Sequence, residues 1–176
     1  ATMDLARILM LDSAGIQEQD ASYLNKHLRA GEAMHEPLYT EEDARRALSL
    51  MKLIEYEEVK EIAKNVSIRF TDAGHLVGSA AIHLNIQEGD KLFRISYSGD
   101  IGRYDDLLLS SPAVFPQCDY LILESTYGDS LHKDVEPFEE AFLEIIQDRC
   151  VRRKGKIIIP AFSVGRTQEV LFALNN

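Results

Sequence analysis

The chain predicts an α/β fold, and three observations lead there: a first third with helical periodicity, a middle of short apolar segments, and a last third alternating strand-like and helix-like runs. Thr2 is placed to cap a first helix in which Leu5, Ile8, Leu9 and Met10 recur on one face, and Asp12-Ser13-Ala14-Gly15 reads as its break. Residues 17–28 are polar and helix-favouring, 31–37 read as a loop, and Thr40-Glu-Glu-Asp43 resembles a capping box opening a helix to about Met51. A short strand candidate at 55–59 precedes strands at 66–71, 80–87 and 92–98, the last two joined by the turn Glu88-Gly-Asp90. These make a β meander. Residues 119–124 form a further strand, 135–152 an amphipathic helix, 156–162 a strand of buried type, and 165–174 the opening of another helix. The basic residues Arg149, Arg152, Arg153, Lys154 and Lys156 suit a solvated helix C-terminus, where cations complement the dipole. The abrupt first helix and the stop at Asn175-Asn176 read as cuts, so a segment of a longer protein is expected.

At 176 residues and 45% hydrophobic content the chain can bury a core, as one domain or one plus a fragment. Nineteen Lys and Arg against 29 Asp and Glu give a net charge of -10, which argues mildly against a polyanionic partner unless the basic residues gather locally. Cys118 and Cys150 have no CxxC spacing, so neither a disulfide framework nor a thiolate zinc site is indicated, and a reducing cytoplasm fits. No apolar run approaches the roughly 18 residues of a membrane span, and the N-terminus lacks signal-peptide features. A soluble protein with no membrane partner is expected.

Three strand ends carry polar groups suited to chemistry: Asp72-Ala-Gly-His75-Leu-Val-Gly-Ser79, Ser98-Gly-Asp100, and Leu121-Ile-Leu-Glu124-Ser-Thr-Tyr-Gly128. A rigid strand end holds a ligand still while leaving it open to substrate. His75, flanked by small residues, reads either as a presented metal ligand or as a hydrogen-bonded structural histidine. Asp100 reads as a turn former or as a carboxylate able to bridge two divalent ions. Glu124 is a proton-transfer group or a solvated strand-end carboxylate. Gly165-Arg166-Thr167 opens a helix after an apolar run, so it fits a phosphate at the N-terminus, or an ordinary helix start with Arg166 in a salt bridge. Asp12 and Glu18 read as a loop and helix-capping feature. The five histidines, His27, His35, His75, His83 and His132, include no chelating i, i+2 or i, i+4 pair.

Gly-His with a small-residue loop, a hairpin, then Gly-Asp resembles the third and fourth ligand motifs of the metallo-β-lactamase fold, an αββα hydrolase scaffold. With Asp12-Ser-Ala-Gly-Ile-Gln-Glu18, Glu124-Ser-Thr-Tyr-Gly128 and Pro160-Ala-Phe-Ser-Val-Gly-Arg-Thr-Gln-Glu169, nearly the whole chain is similar to the β-CASP branch of that superfamily. That branch comprises RNA- and DNA-processing nucleases, among them the endonuclease subunit of the cleavage and polyadenylation machinery and its prokaryotic relatives. The resemblance implies a partial metallo-β-lactamase αββα sandwich over residues 1–126 and the start of an inserted α/β β-CASP domain over 127–176. It further implies two divalent metals, typically zinc, with His75 binding one, Asp100 bridging both, a metal-bound hydroxide as nucleophile, and Glu124 as the acidic group of proton transfer.

The family signature His-x-His-x-Asp-His, which supplies most ligands, is absent, as are the later histidines of motifs B and C. The expectation is therefore a fragment of a metal-dependent ribonuclease acting on single-stranded RNA, inactive and metal-poor by itself, with homo-oligomerisation left open. Two rivals stand beside it: a non-catalytic β-CASP scaffold or RNA-binding homologue, and a glyoxalase-type small-molecule metallohydrolase.

Overall fold

A computed structural model describes residues 1–104, 106, 108–130 and 138–175. Its centre is a five-stranded sheet in the order β1-β2-β3-β4-β5, formed by Lys60–Ala63, Val66–Asp72, Ala80–Glu88, Lys91–Tyr97 and Tyr120–Ile122. The first four strands are antiparallel neighbours, and β5 runs parallel to β4. Because β2 and β4 each oppose β3, they are parallel to one another, and β5 shares their direction. The exits of β2, β4 and β5 consequently lie at one end of the sheet. Carboxyl ends of parallel strands are where open sheets bind ligands, and all three polar motifs leave from there.

The meander read from the sequence is present, with Asp72 paired to Ala80 and Ile82 to Tyr97, and Gly89 takes the left-handed turn between β3 and β4 at φ +58°. Alternation buries Thr71, Ala81, His83 and Ser96, so this part of the core is small and partly polar. His83 sits between two hydroxyls, Nε2 at 2.9 Å from Thr71 Oγ1 and Nδ1 at 2.8 Å from Ser96 Oγ, with Phe115 edge-on to its ring. At the start of β5, Asp119 takes the Arg94 guanidinium through both carboxylate oxygens, 3.1 and 3.2 Å, and accepts the Arg94 backbone N–H at 2.9 Å. Those bonds hold the Asp119 carboxyl below the usual carboxylate range.

Two helices, α1 (Thr2–Lys26) and α2 (Glu41–Leu50), pack together, and their buried residues are the alanines Ala14, Ala21 and Ala44. The expected capping box is there, with Thr40 Oγ1 accepting from Asp43 N and Asp43 Oδ2 accepting from Thr40 N. Residues 12–15, by contrast, do not break α1, and Asp12 and Glu18 lie within the helix rather than in a loop or cap. A glycine inside a helix costs only about 1 kcal/mol. That cost is offset by the packing of α1 on α2, with Ala14 buried, and by Gln17, which donates to Ser13 Oγ and accepts from Leu38 N. Nor is Thr2 a cap. Ala1 holds that position, and the Thr2 hydroxyl donates to the Gly78 carbonyl at 2.6 Å, tying α1 to the His75 loop.

The strand expected at 55–59 is a turn, with Glu57 at φ +65° and Tyr56 making one isolated bridge to Phe70; the edge strand is β1, immediately after it. Helix α3 (Phe138–Ile146) continues into a π-helical turn, Gln147–Arg152, whose exposed Arg149 joins Arg153 on Asp148. The first residues of the expected helix, 135–137, and His132 lie outside the described residues. Residues 156–162 do not form a strand, and they are not buried: Ile158 is 92% and Phe162 87% exposed. A strand needs a neighbour to take its N–H and C=O groups, and none lies alongside among the described residues. Helix α4 (Arg166–Asn175) follows as expected.

Burial pushes the His83 imidazole below the ordinary histidine value, with Arg69 adding to the effect and Glu57 opposing it. A depressed folded value means the unfolded chain binds more protons as pH falls. The contribution of His83 to stability is therefore complete above about pH 6.5 and lost below it. The thermal midpoint should drop as the pH is lowered from about 7.5 to 5.5, and His83→Gln should flatten that slope. Equal slopes in the two proteins would show that His83 is not the titrating group.

Candidate active site

Each motif is shaped by short-range chemistry before it meets the others. Asp72 Oδ1 accepts the Gly74 N–H at 2.8 Å, an Asx turn that stops β2 and starts the His75 loop. Gly74 and Gly78 both have left-handed φ, +65° and +82°. Ser79 Oγ then accepts from His75 N and Leu76 N, each at 3.1 Å, closing the loop before β3. Asp72 and Ser79 thus shape the loop that carries His75. The Asp-x-Gly spacing was the signal for the first, and nothing local marks the second.

His75 and Asp100 meet across this end of the sheet, Nε2 at 3.7 Å from Oδ2, with side chains 42% and 72% exposed. Two donors bonded to one zinc ion at about 2.0 to 2.2 Å lie roughly 3 to 5 Å apart, so an imidazole nitrogen and a carboxylate oxygen at this separation suit a shared divalent ion. They fit two positions of a shell. Among the described residues no group of three or more His, Cys, Asp or Glu side chains is arranged to complete it. Cys118 and Cys150 are unpaired.

Glu124 is half-buried at the exit of β5, with Oε1 accepting the Ile101 N–H at 2.7 Å and its own N–H donated to Ser98 Oγ at 3.1 Å. The two loops touch: Gly102 N–H donates to the Ala73 carbonyl at 2.8 Å, and a Cβ on Gly102 would overlap the Gly74 carbonyl. A cleft of about 950 Å³ runs over this edge, lined by His75, Asp100, Glu124, Gly165 and Arg166 together with Arg103. The Arg166 guanidinium is paired with Glu169 at 2.6 Å, and the Thr167 hydroxyl donates to the Phe162 carbonyl. Arg103 was not singled out from the sequence, where no spacing or periodicity marks it.

No family model matches the chain. It is 37% identical over 143 residues, 78% of its length, to an RNase J-like protein of Methanocaldococcus jannaschii. It is 33% identical over 177 residues, 98% of its length, to the transcription termination factor FttA of Thermococcus kodakarensis. Ribonuclease TTHA0252 of Thermus thermophilus is 36% identical over 80% of the chain. These relatives are β-CASP metallo-β-lactamase family members, and the chain matches that branch with part of its fold. It spans 32%, 25% and 31% of the lengths of these three relatives.

Backbone contact between the two loops makes Gly102 a sensitive position. Gly102→Ala should destabilise the protein by about 1 to 3 kcal/mol, the usual cost of overpacking, because the obstacle is a carbonyl and not a flexible side chain. Chemical denaturation measures it. An unchanged midpoint would mean that the His75 and Asp100 loops are not in contact.

Proposed function

We propose that the protein containing this segment is a metal-dependent ribonuclease that hydrolyses phosphodiester bonds of single-stranded RNA in the cytoplasm. The observation that carries the reading is the 3.7 Å approach of His75 Nε2 to Asp100 Oδ2 beside Glu124, in a cleft open to solvent. The names of the relatives support it, since two are ribonucleases or RNase-like and the third is a termination factor. Residues 1–126 are assigned to the second part of the metallo-β-lactamase domain and 127–176 to the beginning of the β-CASP domain.

In this reading His75 and Asp100 hold divalent metal, zinc being suited to the nitrogen and oxygen donors. Metal supplies Lewis acidity and lowers the pKa of water. Glu124 moves a proton near the scissile phosphate; its second carboxylate oxygen has no hydrogen-bond partner among the described residues. Arg103 and the start of α4 line the cleft and offer donors to an anionic backbone. The cleft also carries Asp100, Asp106, Glu124 and Glu169, so an RNA phosphate is repelled until cations enter. A non-catalytic relative is favoured by one observation, the two-ligand shell, and the assays below separate the two.

In the intact protein, Asp100→Ala should lose bound metal and cleavage together, whereas Glu124→Gln should keep the metal and slow single-turnover cleavage by roughly 10²- to 10⁴-fold. Near wild-type cleavage by Glu124→Gln at saturating metal would remove Glu124 from the chemistry. The 176-residue chain alone should bind zinc weakly and show no turnover, because two side-chain ligands are half of a four-coordinate shell. Stoichiometric tight zinc in a tag-free sample would falsify that expectation.

A further inference from the structure

Glu124 holds the Asp100 turn at two points. Its backbone N–H donates to Ser98 Oγ at 3.1 Å and its side-chain Oε1 accepts from Ile101 N at 2.7 Å, so one residue of the β5 exit grips both ends of Ser98-Gly-Asp-Ile101. Ser98 is fully buried; its N–H donates to the Ile122 carbonyl at 3.0 Å and its hydroxyl donates to the Gly99 carbonyl at 2.6 Å. Gly99 lies at φ +58°, a conformation open to few side chains, so the turn is tight as well as gripped. One residue past Ile101, Gly102 N–H bonds the Ala73 carbonyl, two residues before His75. Asp100, 72% exposed at its side chain, has little packing of its own to orient it.

We infer that Glu124, with Ser98, is a positioning residue for Asp100: a backbone clamp that sets the distance between the Asp100 carboxylate and the His75 imidazole. This rests on the hydrolase reading for its purpose, but the clamp itself is a property of the chain. Outer groups that orient a metal ligand are typically worth 10- to 100-fold in metal affinity. The clamp and the proton-transfer role make different demands on the same side chain. Accepting the Ile101 N–H needs an oxygen, which glutamine also has; moving a proton needs a carboxylate.

The test compares Glu124→Gln with Glu124→Ala in the intact protein, reading amide hydrogen exchange at Ile101 and zinc affinity by titration against a chromophoric chelator. The clamp predicts that Glu124→Ala speeds Ile101 exchange by roughly tenfold or more and weakens zinc by about 10- to 100-fold. Glu124→Gln should leave both near wild type. Ser98→Ala cuts the other end and serves if Glu124→Ala does not fold: the Glu124 amide should exchange faster, with the same loss of zinc affinity. If Ala and Gln variants match each other in Ile101 exchange and in zinc affinity, the clamp is overturned. Should the exchange and zinc pattern hold while no protein cleaves RNA, the hydrolase reading fails and the clamp stands. Cleavage by the wild type with identical Ala and Gln variants gives the converse.

Discussion

The register of β3 between β2 and β4 is the constraint on which the site depends. Pairing Asp72 with Ala80 leaves residues 73–79 as the His75 loop, and pairing Ile82 with Tyr97 ends β4 where Ser98-Gly-Asp100 must turn. A slip of one residue in either ladder would reverse the faces of β3 and carry His83 from between its two hydroxyls into solvent. It would also displace one loop along the strand by about 3.3 Å relative to the other. That is comparable to the whole His75 to Asp100 separation of 3.7 Å. The buried polar line Thr71, His83 and Ser96 is satisfied in one register only, so the core that is least oily is also the part that specifies alignment.

Parallel addition of β5 extends the same logic to a third motif. The Arg94 and Asp119 pair ties the beginning of β5 to the middle of β4, and Ser98 ties its end to the β4 exit. Between those two ties only three residues pair, Tyr120 to Ile122, each more than half exposed. So short a strand has little burial to hold it. Directed polar contacts at both ends therefore decide where Glu124 lands, and the same contacts make the Asp100 turn rigid.

The cleft combines negative and positive groups in a way that suits a cation-dependent site better than a bare anion site. Glu169 neutralises Arg166, while Arg103 has no ion pair among the described residues. The chain spans a quarter to a third of the length of these relatives.

Local chemistry determined much of this protein directly from sequence. The capping box at Thr40 and Asp43, the meander and the helix at Gly165 follow from signals within a few residues, and the strand ends bearing His75, Asp100 and Glu124 were legible for the same reason. The continuity of α1 through Gly15 was not, because it rests on the packing of α1 against a second helix. Residues 156–162 have the composition of a buried strand, yet pairing is a property of two segments, and no partner lies beside this one among the described residues. The 3.7 Å approach, the Gly102 contact with the Gly74 loop and the grip of Glu124 on Ile101 join residues 23 or more positions apart. Only the tertiary structure decided them, since a hydrogen bond across a sheet depends on where both strands end and not on the residues next to either group.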